Sequence, residues 1–237
     1  MGTYARQAGR YLRQVVPLTF PGTYRDARGR EVITWSIRSS ERSGWLRRYE
    51  IRTTIRTIPV WGGDFDALEP ESEPEIASGI LSVGEHHGEI TNCVLTGELP
   101  CLIERDGVRQ AISVRFELDL QAGHNVSFSP RNLRLAVTFA GQEYSVVDDW
   151  FEDGVQRLGA MLPDGCRLIC CVTCLFSDYS PGGHGLTGMS CHRDAKEQYL
   201  AVRSKRDYWS VPVTEDVPET YVCSEYTRRV PGTGYRG

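Results

Sequence analysis

Residues 111–119 read AISVRFELD, and this stretch decides the fold class. Ile112, Val114, Phe116 and Leu118 alternate with Ser113, Arg115, Glu117 and Asp119. A period of two puts one set on a buried face and the other in water, the mark of a half-buried antiparallel strand. The same rule holds in both directions along the chain. Leu133, Leu135, Val137 and Phe139 follow it downstream. Upstream, Ile33, Trp35 and Ile37 alternate with Thr34, Ser36 and Arg38, and Asp26 to Gly29 supplies a turn before them. Tyr49, Ile51, Thr53, Ile55 and Thr57 alternate with Arg48, Glu50, Arg52, Thr54 and Arg56. Weaker strands are expected near 78–83, 90–95 and 99–104. Many strands at short spacing predict a sandwich or a strongly curved sheet.

One helix interrupts this pattern. Phe151, Val155, Leu158 and Leu162 recur at helical spacing, with Asp148 and Asp149 before them and Pro163-Asp164-Gly165 after. Acids at the start and a Pro/Gly stop predict a helix over about 148–162, with its apolar stripe on the sheet. A shorter helix is expected from about Arg193 to Val202. The fold class is therefore α+β: a mostly antiparallel β core with one or two packed helices. The acidic segment DFDALEPESEPE (64–75), with six acids and two prolines, is expected to be a solvated loop.

The chain has 237 residues with a formal net charge of −4, 40% hydrophobic and 10% aromatic. This is globular composition, and no apolar run approaches the roughly 20 residues that span a bilayer. Charge is uneven: residues 1–60 carry 12 Arg and 4 acids, and residues 61–165 carry 6 basic and 19 acidic residues. The opposed charges are read as facing one another within one fold. The segment 1–14 has three Arg and no acid. It lacks the apolar core of a secretory signal and is read as a basic arm or an over-extended start. The chain is then expected to be cytoplasmic, with its eight cysteines reduced.

Cys171 and Cys174 form a CxxC pair, followed after 16 residues by Cys191 and after 31 more by Cys223. A tight knuckle turn points both CxxC sulfurs the same way, and two more thiolates complete a zinc tetrahedron. A structural zinc ion is the expected cofactor, with Cys171, Cys174, Cys191 and Cys223 as ligands. A catalytic zinc, with His184 or His192 replacing a cysteine, and a redox or merely buried CxxC remain the alternatives. Cys93, Cys101, Cys166 and Cys170 read as small buried residues. The division expected is an arm over 1–14, a β-rich core over 15–165 and a zinc-binding subdomain over 166–237.

Between the second and third ligands runs SDYSPGGHG (177–185). Asp178, Tyr179, His184, His192 and Arg193 are candidates for a polar binding site there, since a loop anchored at both ends is a common place for function. The alternative is that these residues only shape turns and pack on the knuckle. Glu85-His86-His87 is the densest histidine cluster, but neighbours on a strand point to opposite faces. Asn125-Val126-Ser127 matches a glycosylation sequon without meaning in the cytosol. No nucleophile elbow, zinc-protease or Walker sequence is present. Arg48, Arg52 and Arg56 have no interleaved aromatics, which argues against a nucleic-acid platform and for pairing with acids.

The runs CVTCLFSDYSPGGHGLTGMSCHRDAKEQY (171–199) and ETYVCSEYTRRVPGTGYRG (219–237) resemble an uncharacterised bacterial, Streptomyces-type family with a domain of unknown function. The resemblance implies that the CxxC, the SDYSP loop, Cys191 and Cys223 belong to one unit, and it implies no activity. The function expected is a zinc-stabilised binding or accessory module with an unknown protein or small-molecule partner. The alternative is an enzyme with its site at 177–185 beside the metal.

Overall fold

The computed structural model describes residues 18–39, 49–84, 88–120, 132–179, 188–230, 232–233 and 235. The N-terminal arm, Arg48, the Glu85-His86-His87 cluster, the sequon at 125–127 and His184 lie outside the described residues.

The core is one long antiparallel sheet. Its strands are β1 (Leu18–Asp26), β2 (Gly29–Ser39), β3 (Tyr49–Ile55), β4 (Ile58–Gly62), β5 (Leu68–Pro70), β6 (Cys93–Arg105), β7 (Val108–Leu120), β8 (Asn132–Phe139) and β9 (Gln142–Asp148). They run in the order β5-β4-β3-β2-β1-β6-β7-β8-β9, and β10 (Cys166–Ile169) pairs with the second half of β6. Ile33, Trp35, Ile37, Val114, Phe116 and Leu118 bury as the pattern requires, but Ile112 is half-buried, and Glu50, expected on the wet face, is buried between Arg38 and Arg52. β6 and β7 form one hairpin of 13 residues a strand, closed by Asp106 and Gly107 at positive φ.

The sheet is curled. Phe65, in the turn between β4 and β5, lies 5.1 Å from the Trp35 ring and 4.6 Å from Phe116 of β7. In a flat sheet about 24 Å separates β4 from β7, five strand spacings away. Glycine makes the curl possible at one place. Gly22 and Gly97 face each other across β1 and β6, and a Cβ on Gly22 would lie 2.2 Å from both the Thr96 carbonyl oxygen and Trp35 Nε1. Trp35 fills that space and donates to Thr96 O at 2.8 Å.

Three expectations are corrected here. The acidic segment is not a loop: Asp64, Phe65 and Leu68 are buried, β5 follows, and α1 (Pro74–Ile80) begins at its second proline. Phe65 and Leu68 outweigh the six acids, of which Asp64 is itself buried with its carboxylate accepting from the Phe65 amide. The strand expected near 78–83 is largely this helix, and the two expected near 90–95 and 99–104 are one strand, β6. The alternation in the third strand ends at Ile55, because Arg56 and Thr57 take positive φ as the turn into β4.

The helix α2 (Phe151–Met161) packs Phe151, Val155 and Leu158 onto the sheet, against β8 and β9. Asp148 ends β9 and accepts from the Asp149 and Trp150 amides, while Trp150 holds the N-cap position. After Gly165 the chain enters β10. The remainder builds a small sheet of β11 (Ser177–Asp178), β12 (Met189–Cys191) and β13 (Glu215–Val217), with α3 (Lys196–Leu200) and α4 (Lys205–Tyr208) between β12 and β13. Among the described residues no helix is long and apolar enough to cross a membrane.

Candidate functional site at the thiol cluster

The C-terminal backbone draws four cysteines together. Cys171 opens a 3-10 turn, Cys171–Thr173, and its amide donates to Tyr221 O at 2.8 Å. The Val172 amide donates to Glu219 O at 3.1 Å. Cys174 bridges to Arg228, and the Arg229 amide donates to Thr173 O at 3.0 Å. Cys223 therefore lies on a segment pinned to the knuckle on both sides. Cys191 pairs with Ser177 on one side and Glu215 on the other.

The electrostatics follow from this placement. Burial pushes the Cys171 thiol well up, and charge on Cys174, Cys191, Cys170 or Cys223 pushes it further. Cys191 is raised to about 11 by burial, against the pull of the Arg193 amide and guanidinium, with Cys223 and Cys174 adding to the rise. Cys223 is raised by burial, partly offset by the Glu225 amide. Two sulfurs thus receive a backbone N–H from two residues further on, an arrangement that also stabilises metal-bound thiolate. Two cations stand beside the cluster. Arg193 reaches Cys191 Sγ at 3.6 Å and pairs with Glu215. Lys196 pairs with Glu225 at 2.7 Å, close enough to Cys223 and Cys174 that their charge would raise its pKa. All eight cysteines are free, and among the described residues no three His, Cys, Asp or Glu side chains stand in ready metal-holding geometry.

Cys101 and Cys170 form a separate buried pair behind the knuckle. A thiol-to-thiol hydrogen bond and burial hold the Cys101 proton firmly. Cys170 also accepts from the Thr173 and Val172 amides, so it serves as the cap of the 3-10 turn.

The loop candidates are spread through a packed network. Asp178 is buried, accepts from Tyr199 Oη at 2.9 Å and from the Tyr179 amide at 2.9 Å. Tyr179 turns the other way and donates to Glu219 at 3.0 Å. His192 is fully buried, with Nδ1 2.9 Å from Pro212 O and Nε2 3.0 Å from Tyr208 Oη. A carbonyl only accepts, so Nδ1 carries the proton and Nε2 accepts from the tyrosine. Burial lowers the pKa of this imidazole. With both nitrogens engaged, His192 has no lone pair left for a metal. Arg193 belongs to the cysteine cluster rather than to the Asp178 network.

Two residues important to this region were not singled out from sequence. Glu219 is buried, with its carboxyl pushed well above the usual carboxylate range by burial. Arg229 sends Nη2 to the carbonyls of Cys174, Leu175 and Ser177 and to Tyr199 Oη, and so stitches tail to knuckle. Only the clustering of ETYVC and TRRV around Cys223 hinted at either.

Fold and site together define a β-rich α+β protein with a thiol cluster at the end of its core. The chain belongs to a family of unknown function (DUF6304), matched over residues 18–177. That match spans the curled sheet, α2 and the CxxC knuckle. The sequence resemblance, drawn on residues 171–237, overlaps it only over 171–177. No curated protein and no solved structure matches the chain.

Proposed function

We propose that this chain is a cytoplasmic binding or accessory module whose C-terminal unit is held by one structural zinc ion on Cys171, Cys174, Cys191 and Cys223. The carrying observation is the convergence of four thiols from three segments, with Cys174, Cys191 and Cys223 all in the electrostatic surroundings of Cys171. Zinc bound by four thiolates is a dianion, and Arg193 and Lys196 stand where they offset that charge. The Arg193 and Glu225 amides directed at sulfur fit the outer shell of such a site. Four protein ligands leave no open coordination position, which favours a structural over a catalytic ion. Eight free thiols fit a reducing compartment. The enzyme reading gains no support from Asp178, Tyr179, His192 and Arg193, whose polar atoms are engaged within the fold.

Elemental mass spectrometry on untagged protein tests this reading. About one zinc per chain is expected, lost in both Cys171→Ser and Cys223→Ser. Protein without metal, whose thiols all react with a thiol reagent in the native state, overturns the zinc site. Zinc retained in Cys223→Ser overturns the four-cysteine ligand set.

A further inference from the structure

A cavity of about 540 Å³ opens between α2 and the C-terminal tail, against the knuckle residues Val172 and Thr173. That volume falls within the range of small-molecule sites. Its floor is apolar: Val155 from α2, Leu168 from β10 and Val172 from the knuckle. Its polar wall is basic, formed by Arg167, Arg228 and Arg229 against a single lining carboxylate, Glu152.

The three arginines differ in how far their charge is used. Arg167 pairs with Glu104. Neither Arg228 nor Arg229 has a carboxylate partner among the described residues. Arg229 commits Nη2 to protein oxygens, but its Nε and Nη1 are buried with no acceptor. With those two nitrogens enclosed, Arg229 lends the wall its positive charge from behind, and the exposed Arg228 is the guanidinium that a ligand oxygen can reach. Glu152 accepts from the neutral Gln156 and keeps its charge, so Arg228 and Arg229 against this one carboxylate leave the lining a net positive charge.

We propose that this cavity binds a small organic anion, an oxyanion head of carboxylate or phosphate joined to a short apolar body. The head is held by Arg228, with the charge of Arg229 behind it, and the body lies over Val155, Leu168 and Val172. This goes beyond the zinc reading and does not depend on the identity of the metal.

The test is titration calorimetry on the full-length protein as purified. The probes are 4-phenylbutyrate, phenyl phosphate, neutral 4-phenylbutanol and inorganic phosphate. Either organic anion binds measurably, and which one binds tighter identifies the head group. The neutral alcohol and inorganic phosphate bind roughly tenfold more weakly or not at all, because each lacks one half of the recognition. Arg228→Gln, at an exposed residue, weakens the anion by about tenfold. Gly159→Phe supplies the control for folding. Gly159 lines the cavity on α2, and a Cβ there meets nothing within 4 Å. Its phenyl ring fills the space and abolishes binding, while the melting temperature stays at or above that of wild type. No binding by either anion overturns the proposal. So does equal binding of alcohol and anion, or of inorganic phosphate and the organic anions, or unchanged affinity in Gly159→Phe.

Discussion

Asp26 ends β1 with no exposed side-chain surface, and Arg56 reaches it from the β3–β4 turn with Nη2 2.6 Å from Oδ1. The Arg56 hydrogen bond pulls the Asp26 carboxyl down to about 2, against the opposing effect of burial. A carboxylate whose folded pKa is depressed adds stability above its unfolded pKa of about 3.9, and that stability fades as pH falls toward the folded value. Arg56 remains about one-fifth exposed, so solvent screening trims the effect. Asp26→Asn is expected to cost about 2 kcal/mol near neutral pH. Urea denaturation checks this, with the gap to wild type narrowing between about pH 4 and about pH 2. His192 titrates in a different window. Its buried imidazole is neutral, so below about pH 6.5 the unfolded chain takes up a proton that the folded one refuses. Wild-type melting temperature therefore falls from about pH 7.5 to about pH 5, and less steeply in His192→Gln, although that variant is less stable at neutral pH.

Within α2, two glycines lead opposite lives. A Cβ on Gly154 would lie 2.8 Å from Leu135 Cδ1, on the face that meets β8. A Cβ on Gly159 meets nothing. Helix propensity favours alanine at both sites by about 0.5–1 kcal/mol. At Gly159 that gain stands, so Gly159→Ala is expected to raise stability by that amount. At Gly154 overpacking against Leu135 outweighs it, and Gly154→Ala is expected to cost about 1–2 kcal/mol net. Chemical denaturation of the two variants side by side gives opposite signs. Equal effects would mean that α2 does not seat on β8 through Gly154.

At the scale of the whole chain, the described residues form a large curled sheet that ends in a small cysteine-bearing unit. β10 adds to the main sheet beside β6, and Cys170, Cys171, Tyr179, Cys191 and Val217 share its core. Beyond that lies a modest second cluster around Phe176, Tyr199, Tyr208 and Val211. Few apolar contacts mean low local stability, so this outer cluster depends on the cysteine anchor. Hydrogen exchange on Cys223→Ser is expected to lose protection across 188–230 while β6 to β9 stay protected. Equal protection in variant and wild type would show that the tail holds by packing alone.

The local sequence already carried the strands, α2 and the cysteine set, because period-two and helical alternation are local consequences of which face is buried. Ile112, Val114, Phe116 and Leu118 needed no partner to declare themselves. The acidic segment 64–75 misled for the opposite reason. Phe65 packs on Trp35 and Phe116, which lie far away in sequence, and Leu68 is buried in the same core. Pairing, curl and the space left by Gly22 and Gly97 are likewise non-local. The CxxC and its grouping with Cys191 and Cys223 were legible, yet no local signal told that His192 would spend both nitrogens elsewhere. The basic cavity was invisible for the same reason: Val155, Leu168 and Arg229 come from three separate elements. Local pattern was enough to mark the buried face of most strands and of α2. Only the tertiary structure decided which of them meet, because meeting depends on long-range chain closure that no local pattern encodes.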